Sequence, residues 1–366
     1  MTSKENQART DFSALALSPA TLANLQQLGY TTMTPIQAAS LPPALLGKDL
    51  IAQASTGSGK TAAFALALLA NLNPRRFAVQ ALVLCPTREL ADQVTTEIRR
   101  LARAEENIKV VTLCGGVPLR AQTLSLEHGA HIVVGTPGRV MDHLERQHLT
   151  LEALNTLVLD EADRMLDMGF FDDIVKVARQ CPKERQTLLF SATYPDAVQS
   201  LATGLLHDPV QARVDAAEGQ DAASPQSIAQ RAIAVDRARR TQLLRTLVQG
   251  ETAPGTDPAT LERALVFVAT RHTAELVAEK LYKAGIFATA FHGDLSQGAR
   301  KEALADFKAR RWQVMITTDL AARGIDITQL PLVVNYDLPR SATDYVHRIG
   351  RTGRAGEDGT AISFVT

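Results

Sequence analysis

The sequence predicts an α/β fold of two tandem domains, each with a mostly parallel sheet flanked by helices. Three observations predict it: short apolar runs that are continuous rather than alternating, helical segments between most of them, and a break in this pattern near the middle of the chain. Continuous apolar runs are typical of strands buried on both faces, which occur in parallel sheets covered by helices. A chain of 366 residues is also long enough for two or three separate cores.

The N-terminal domain, residues 1–209, is predicted from its apolar runs. Helical composition separates most of them, as in ELADQVTTEIRRLAR at residues 89–103. Such alternation of strands and helices indicates parallel strands with crossover helices. The runs are DLIAQA (49–54), ALVLCP (81–86), KVVTLC (109–114), HIVVGT (131–136), TLVLDE (156–161) and TLLFSA (187–192).

A linker is predicted at residues 210–228, because the pattern stops at Asp208. The following PVQARVDAAEGQDAASPQS is rich in small and polar residues and has little apolar periodicity. The alternation resumes in a C-terminal domain, residues 229–366, where GETAPGTDPAT (250–260) is predicted to be an exposed loop. The apolar runs of this domain are ALVFVA (264–269), ATAFHG (288–293), QVMITTD (313–319), LVVNYD (332–337) and AISFVT (361–366).

Charge and cysteine usage narrow the function classes. Lys+Arg and Asp+Glu both number 39, so no global positive field attracts a polyanion, and any such partner must be held by local placement of charge. Cys85, Cys114 and Cys181 are too widely spaced for a metal knuckle and indicate a reduced, cytoplasmic chain. The N-terminus is polar and no apolar stretch reaches ~18 residues, so we expect neither a signal peptide nor a membrane span.

Residues 54–61, which read ASTGSGKT, follow the first apolar run and predict a phosphate-binding loop. Gly57 and Gly59 allow the sharp backbone geometry that turns N–H groups toward phosphate oxygens, and the following helix directs its positive end at the same anion. Lys60 adds a charge at the β- and γ-phosphates, and the Thr61 hydroxyl can reach a metal ion. Ala54 stands where the first glycine of the pattern is expected.

The sequence DEAD, residues 160–163, follows the run TLVL and supplies the acidic partner of that loop. Asp160 can hold Mg²⁺ through oxygen ligands, and Glu161 can orient or deprotonate the attacking water. Alone, a glycine-rich turn followed by Lys-Thr is also compatible with a plain strand-to-helix loop. The two motifs together predict that the chain binds and hydrolyses a nucleoside triphosphate.

Further unusual clusters come where strands end, which is where open α/β sheets place their ligands. The densest is HRIGRTGRAG (347–356), with Arg348, Arg351 and Arg354. It is compatible with a solvated basic turn, but spaced arginines can also hold cations against a γ-phosphate bound by another domain. The others are PTREL (86–90), Gly115-Gly116, TPGR (136–139), SAT (191–193), HGDLSQGAR (292–300) and TTDLAARGID (317–326).

The ordered set of motifs from Phe12 to Gly356 resembles that of the DEAD-box ATP-dependent RNA helicases, superfamily 2 enzymes with two RecA-like domains. The wording is most similar to the bacterial DbpA branch, for example in LGYTTMTPIQAASLP and DEADRMLDMGF. The resemblance implies RNA-stimulated ATP hydrolysis coupled to domain closure and to local unwinding of short RNA duplexes. That branch acts in ribosome assembly and carries a C-terminal RNA-binding domain, a module we expect to be absent from these 366 residues.

The resemblance assigns the nucleotide-binding roles. GYTTMTPIQ (29–37) is similar to the adenine-recognition motif, although Met33 replaces a frequent proline. Gln37 would read the base edge, so ATP rather than GTP is expected, while Tyr30 would stack on the ring and Phe12 is the upstream aromatic residue. Gly324 and Asp326 would lie near the ribose, Arg351 and Arg354 would act as arginine fingers, and Thr61 and Asp160 would hold Mg²⁺. The catalytic set is Lys60, Asp160, Glu161, Arg351 and Arg354, and the phosphate loop is Ser55, Thr56, Gly57, Ser58, Gly59, Lys60 and Thr61.

The resemblance also assigns an RNA surface and a coupling network. Glycine backbones and helix N-termini suit phosphate and ribose rather than base edges, so sequence-independent binding of single-stranded RNA is expected, and 2′-hydroxyl contacts would exclude DNA. The implied RNA contacts are Pro86, Thr87, Arg88, Gly115, Gly116, Thr136, Gly138, Arg139, Arg300 and Thr317. The implied coupling residues are Asp163, Ser191, Thr193 and His347.

Two other functions are considered, and the first of them uses the same motifs. An ATP-latched RNA clamp, or assembly platform, would hydrolyse ATP only for release. A DNA translocase of the wider superfamily is disfavoured by the adenine motif and by DEAD rather than DEAH. The resemblance therefore favours a helicase and implies single-stranded and short duplex RNA as partners, ribosomal RNA in particular, without membrane or DNA.

Overall fold

The chain forms two compact units, residues 1–219 and 220–366. The computed structural model describes residues 10–54, 57–105, 107–214, 228–249, 263–322, 325, 327, 330–339, 341–353 and 359–366. We consider each unit separately.

The first unit contains a seven-stranded sheet in the order β3-β4-β2-β5-β6-β1-β7, and every pair of neighbouring strands is parallel. Six of the seven strands come directly from the apolar runs of the sequence. The strands are β1 (Leu50–Gln53), β2 (Ala81–Leu84), β3 (Val110–Leu113), β4 (Ile132–Gly135), β5 (Thr156–Leu159), β6 (Gln186–Ser191) and β7 (Val210–Arg213).

Helices cover both faces of this sheet, as continuous apolar strands require. One face packs Phe64 edge-on against Phe190, with ring centroids 5.3 Å apart, and the opposite face buries Met165 and Ile174. The helices are α1 (Pro19–Gln27), α2 (Pro35–Leu45), α3 (Lys60–Ala70), α4 (Arg88–Leu101), α5 (Leu119–Glu127), α6 (Pro137–Glu145), α7 (Ala162–Asp167), α8 (Phe171–Gln180) and α9 (Asp196–Leu205), with 3₁₀ turns at Phe12–Ala14 and Ala102–Ala104.

The second unit contains a six-stranded parallel sheet in the order β10-β11-β9-β12-β13-β8. Phe267, Phe291 and Phe307 fill the core on one face, and Val277 and Leu281 pack on the other. The strands are β8 (Ile228–Ala234), β9 (Ala264–Phe267), β10 (Ala288–Phe291), β11 (Val314–Thr317), β12 (Leu332–Asn335) and β13 (Gly359–Val365). The helices are α10 (Arg240–Val248), α11 (Arg271–Lys283), α12 (Gln297–Lys308), α13 (Asp319–Ala322) and α14 (Ala342–Ile349), with a 3₁₀ turn at Arg237–Arg239.

Two strands differ from the sequence-based expectation. Strand β7 lies inside the segment 210–228 that composition assigns to a linker, and β8 begins at its end. Both are edge strands, and their side chains are mostly exposed, so neither carries a continuous apolar run. The first sheet therefore extends to Arg213. Residues 215–227 and the predicted loop at 250–260 lie outside the described residues.

Within the part of the chain that the structure describes, no helix has both the length and the apolar character needed to cross a membrane.

Candidate active site and nucleic-acid interface

The strand order places the nucleotide motifs at one edge of the first sheet. Strand β6 lies between β1 and β5, so the ends of these three neighbours meet. The phosphate loop follows β1, the sequence DEAD follows β5, and Ser191 ends β6. Because all three strands are parallel, their carboxyl ends share one edge, where ligands of such sheets bind.

The described part of the phosphate loop has the backbone geometry that its glycines predict. Gly57 and Gly59 have φ angles of 84° and 93°, in the left-handed region that glycine adopts without strain. A Cβ atom on Gly59 would lie 2.6 Å from Nε2 of Gln37, so glycine is required there for space as well. Helix α3 begins immediately afterwards at Lys60, whose buried Nζ donates to the carbonyl of Ala54 at 2.8 Å. Ser55 and Thr56 lie outside the described residues.

Gln37 lies against the phosphate loop. Its Oε1 accepts from the backbone N–H of Thr34 at 2.9 Å, and the Thr34 hydroxyl caps α2 in return, forming a capping box. Its Nε2 donates to the carbonyl of Gly59 at 3.1 Å. The buried amide thus joins the adenine-type motif to the loop expected to hold phosphates.

The aromatic pair of the same motif is anchored to α4. Phe12 is buried and meets the ring of Tyr30 edge-on, with centroids 6.3 Å apart. The Tyr30 hydroxyl donates to the carboxylate of Glu97, and burial together with that carboxylate raises the pKa of Tyr30. Asn24 donates to the last carbonyls of α4, those of Arg100 and Leu101 at 3.1 and 3.0 Å. These bonds hold Tyr30 and helix α1 against the C-terminal end of α4.

Asp160 and Glu161 form a buried acidic pair. They are only 2% and 5% exposed, and burial, followed by the charge of Glu161, raises the pKa of Asp160 to about 7, with Lys60 acting in the opposite direction. Glu161 has a φ of 54°, an uncommon left-handed value for a residue with a side chain, and its carboxylate pairs with Arg164 at 2.5 Å. A cation beside Asp160 would offset the cost of burying this charge.

The oxygen donors at this edge fit a magnesium ion shared with phosphates. Mg²⁺ is usually held by one or two carboxylates together with waters and substrate oxygens rather than by a cage of side chains. Asp160 supplies a carboxylate, and Thr61, which is partly exposed on the first turn of α3, supplies a hydroxyl. Among the described residues no group of three or more His, Cys, Asp or Glu side chains could hold a metal by itself.

Asp163 connects the acidic motif to the end of β6. Its Oδ2 accepts from both the backbone N–H and the hydroxyl of Thr193 at 2.8 Å, and its own N–H donates to the hydroxyl of Ser191 at 3.2 Å. The structure therefore brings together the first-unit residues that the sequence grouped as a coupling network. Because Asp163 lies in the first turn of α7, a movement of the segment 191–193 would displace the start of that helix.

The expected RNA contacts of the first unit lie at the carboxyl ends of the strands in the other half of the sheet. Strands β3, β4 and β2 are neighbours, and Gly115-Gly116, Thr136 and Pro86-Thr87 follow them in that order. Thr87 caps α4, and Thr136 occupies the N-cap of α6 without using its hydroxyl to cap it. Two helix N-termini thus lie at this edge, a favourable environment for phosphate.

Two arginines flank the glycine pair. A Cβ atom on Gly116 would lie only 1.9 Å from Nη1 of Arg88, so the Arg88 guanidinium rests directly on the glycine backbone. Nη1 of Arg139 donates to the carbonyl of Val117 at 2.9 Å. Gly138, near the start of α6, has no neighbour closer than 3.8 Å to an added Cβ atom. The expected RNA contacts of the first unit therefore follow three neighbouring strands, although Pro86 and Thr87 are themselves buried.

In the second unit, Arg300 lies in the first turn of α12, and Thr317 is the last residue of β11. Arg300, on α12, is buried with its guanidinium 4.9 Å from the ring centroid of Phe291, the last residue of β10. Thr317 ends the neighbouring strand β11, and its buried hydroxyl donates to the carbonyl of Thr318 at 3.2 Å. His347 is exposed on α14. Gly324, Asp326 and Arg354 lie outside the described residues.

Comparison with known proteins decides the family. The pattern of the DEAD/DEAH box helicase family matches residues 34–201, and that of the helicase conserved C-terminal domain matches residues 241–356. The ATP-dependent RNA helicase DbpA of Escherichia coli (strain K12) is 49% identical over 97% of this chain and 75% of its own length. The chain belongs to the DEAD-box RNA helicase family.

Further relatives of this DEAD-box helicase agree in sequence and fold. The helicase CshA of Geobacillus kaustophilus (strain HTA426) is 42% identical over 98% of this chain and 74% of its own length. The structure of S. cerevisiae Dbp5 bound to RNA and ADP BeF3 is similar with a TM-score of 0.82 and 34% identity, over 97% of this chain and 89% of that chain. The two parallel-sheet units are thus the RecA-like domains of an ATP-hydrolysing RNA helicase.

Two arginines of the dense cluster, Arg348 and Arg351, are both buried but have different partners. Arg348, one of the three arginines of the dense cluster, is 3% exposed and binds Asp319 through two bonds of 2.5 and 2.7 Å. It also donates to Oδ1 of Asn335 at 3.0 Å, so it holds α14 onto the sheet. Arg351, three residues later, donates to the carbonyls of Ile325 and Ala322 at 2.6 and 3.4 Å. Sequence spacing alone does not distinguish these two environments.

Arg164, the partner of Glu161, was not selected from the sequence either. It directly follows DEAD, and its side chain is buried beside the carboxylate that would act on water. A basic residue three positions after an acidic one on a helix is the signal that could have identified the pair.

Proposed function

We propose that this helicase couples RNA-stimulated ATP hydrolysis to closure of its two units and to local unwinding of short RNA duplexes. The observation that carries the proposal is that Asp163, which follows the acidic pair Asp160-Glu161 in the same motif, is bonded to both Ser191 and Thr193. Asp163 thereby joins the acidic motif to the segment expected to respond to RNA. Hydrolysis and RNA binding would then share one structural element.

The geometry of the loop supports the proposed nucleotide roles. The N–H groups after Gly57 and the Lys60 amine would bind the β- and γ-phosphates, and the Gln37 amide would test the base edge. Asp160 and Thr61 would hold Mg²⁺, which supplies positive charge to the phosphates when bound. Glu161 would orient the attacking water and accept its proton.

The second unit would complete the charge on the γ-phosphate. We assign this role to Arg351 and Arg354, with Gly324 and Asp326 at the ribose and His347 in the coupling network. Arginines from a second domain stabilise phosphoryl-transfer transition states only when the domains approach each other. Hydrolysis would therefore require closure, and release of phosphate would reset the open form.

RNA would be held by its backbone. The guanidinium groups of Arg88, Arg139 and Arg300 suit bidentate contacts with phosphate, and the backbone of the glycine pair and the Thr317 hydroxyl suit phosphate and ribose. The likeness to Dbp5 bound to RNA and ADP BeF3 supports this use of the surface. By its likeness to DbpA we further propose ribosomal RNA as the target, in ribosome assembly, and the buried free thiols of the three cysteines support a cytoplasmic location.

A strand-displacement assay tests the proposal against the RNA-clamp alternative. A short RNA duplex with a single-stranded overhang, labelled on one strand, is mixed with the protein and ATP. We expect ATP-dependent release of the labelled strand, and no release with Glu161→Gln. RNA-stimulated hydrolysis without any strand release would instead establish the clamp.

A further inference from the structure

A buried polar chain connects the two arginine-bearing parts of the RNA surface. Gln122 on α5 is 4% exposed and His143 on α6 is fully buried. Nε2 of Gln122 donates to the carbonyl of Cys114 at 2.8 Å, and Oε1 of Gln122 lies 3.2 Å from Nε2 of His143. The chain therefore runs from the residue directly before Gly115 to the helix that begins at the TPGR motif.

The directions of these bonds follow from the chemistry of the groups. Since the Gln122 amide nitrogen donates to a carbonyl, its oxygen must accept, and Nε2 of His143 must carry the proton. The other ring nitrogen, Nδ1, is buried and has no partner among the described residues. Burial, with the nearby charges of His148 and Arg139, lowers the pKa of His143 to about 4, so the ring is neutral under ordinary conditions.

Gln122 and His143 are buried, but the polar chain that they form is bonded to the start of the loop that carries the glycine pair. The Cys114 carbonyl fixes the start of the loop 115–117, on which the Arg88 guanidinium rests. The end of the same loop is bonded to Arg139 through the carbonyl of Val117. The loop is thus held directly before its first residue by Gln122, which bonds His143, and at its last residue by an arginine expected to contact RNA.

We propose that Gln122 and His143 are positioning residues that set the spacing between the glycine pair and Arg139, so that neighbouring phosphates of one RNA strand are bound together. The inference rests on the proposed function, because it assumes that Arg88, Arg139 and the glycine pair contact the RNA backbone. A purely structural pair would stabilise the first unit without affecting which phosphates are contacted. A positioning pair would change the number of phosphates neutralised.

The test is the salt dependence of RNA binding, measured by anisotropy with a labelled single-stranded RNA and a non-hydrolysable ATP analogue. Each single variant, Gln122→Leu or His143→Leu, leaves a buried polar atom without its partner and is expected to lower stability. The double variant removes both polar side chains but still leaves the Cys114 carbonyl without its donor, so it is expected to recover only part of that stability. If the pair positions the surface, the double variant still loses about 0.7 from the log–log salt slope, the loss expected for one phosphate, while its affinity for the ATP analogue without RNA is unchanged.

Conservative variants keep the test independent of folding. His143→Gln can place an amide N–H near the position of the ring Nε2 and should restore the wild-type slope. Gln122→Asn remains polar but is too short to bond both partners, and should lower the slope in a folded protein. His148→Phe, which keeps an aromatic ring beside His143 but loses the bond between His148 and the Thr123 hydroxyl, is the matched control and should leave the salt slope unchanged.

The outcomes separate the inference from the proposed function. A folded double variant, or a folded Gln122→Asn protein, with wild-type slope and affinity would overturn the inference. In the same assay Arg88→Ala and Arg139→Ala should each lower the slope. If these two arginine variants also keep the wild-type slope, the RNA surface itself is wrongly assigned. A reduced slope in the arginine variants alone confines the failure to the Gln122–His143 pair.

Discussion

At the scale of single residues, Glu161 combines two unusual features. It has a positive φ and its carboxylate is buried in a bond with Arg164. Strained backbone of this kind costs about 1–3 kcal/mol and is concentrated at functional sites. Both features identify Glu161 as the residue whose chemistry should be tested first.

Glu161→Gln should abolish most turnover while leaving ligand binding intact. The amide keeps the size of the side chain and leaves the Asp160 carboxylate in place, but it cannot accept the proton of the attacking water. We expect RNA-stimulated ATP hydrolysis to fall by orders of magnitude, with ATP and RNA affinities near wild type, measured by phosphate release and by equilibrium binding. Hydrolysis at the wild-type rate would remove Glu161 from this role.

Gln37→Ala should weaken ATP binding and narrow the preference for ATP over GTP. The same amide caps α2 and supports Gly59, so we also expect a loss of about 1 kcal/mol of stability. Thr34→Ala is the control: it removes a similar capping bond, costs about as much stability, and should leave the ATP-to-GTP ratio of affinities unchanged. Equal use of ATP and GTP by the wild type would refute the adenine assignment.

His143 should make the stability of the first unit depend on pH. Its folded pKa of about 4 lies below the ordinary value, so the unfolded chain binds the proton more tightly, and stability is complete above about pH 6.5 and declines as the pH falls toward 4. The groups acting on the ring are His148, Arg139, Asp142 and Arg146. Between pH 7.5 and 5.5 the wild type should lose about 1.4 kcal/mol more than His143→Gln.

Calorimetry of both proteins at the two pH values measures this difference. The raised pKa of Asp160 has the opposite effect, since it removes stability as the pH rises, but it is common to both proteins and cancels in the comparison. An identical pH dependence in the two proteins would contradict the neutral, buried state of His143.

At the scale of elements, the strands that sequence could predict are those buried on both faces. Runs such as ALVL and TLVL are continuous because helices cover both sides of β2 and β5. Strands β7 and β8 were missed because an edge strand needs few buried side chains, and each begins with a mixed polar pattern. Their pairing is decided by the neighbouring strand, which local sequence does not contain.

The candidate site was predictable to the extent that it lies in contiguous motifs at strand ends. The phosphate loop, the acidic pair and the 191–193 segment are brought together by strand order alone. The partners that hold these motifs come from distant helices: Gln122 reaches back to Cys114, and Glu97 holds Tyr30. Such tertiary contacts have no spacing pattern in the sequence.

Helix α14 provides a prediction at this scale, because Arg348 within it and Arg351 just after it differ in role. Arg348→Met removes a buried bidentate bond and should lower the free energy of unfolding of the second unit by about 3 kcal/mol. Arg351→Ala should cost less stability but reduce turnover by about 10³-fold or more, as expected for an arginine finger. Trp312, the single tryptophan, packs in the second unit, so its fluorescence during urea unfolding reports on this unit.

Turnover of both variants is then measured well below their unfolding midpoints. Arg348→Met should retain substantial turnover per folded molecule. Normal hydrolysis by a folded Arg351→Ala protein would contradict the arginine-finger assignment.

At the scale of the whole molecule, charge balance limits how the helicase meets RNA. With 39 basic and 39 acidic residues there is no long-range attraction, so contact depends on local groups at the sheet edges. Under the proposed assignment each RecA-like unit holds part of the RNA surface, so RNA should bind weakly unless the units approach each other. ATP and RNA should therefore favour the same closed arrangement, and each should strengthen binding of the other.

The most direct test of this account is the RNA affinity of the protein measured by anisotropy with and without a non-hydrolysable ATP analogue. Several unrelated single-stranded RNAs should bind at least about fivefold more tightly with the analogue, within a few-fold of one another, and the matching DNA strands should bind clearly worse. RNA affinity that does not respond to the analogue, or a strong preference for one RNA sequence, would contradict closure around a backbone-reading surface.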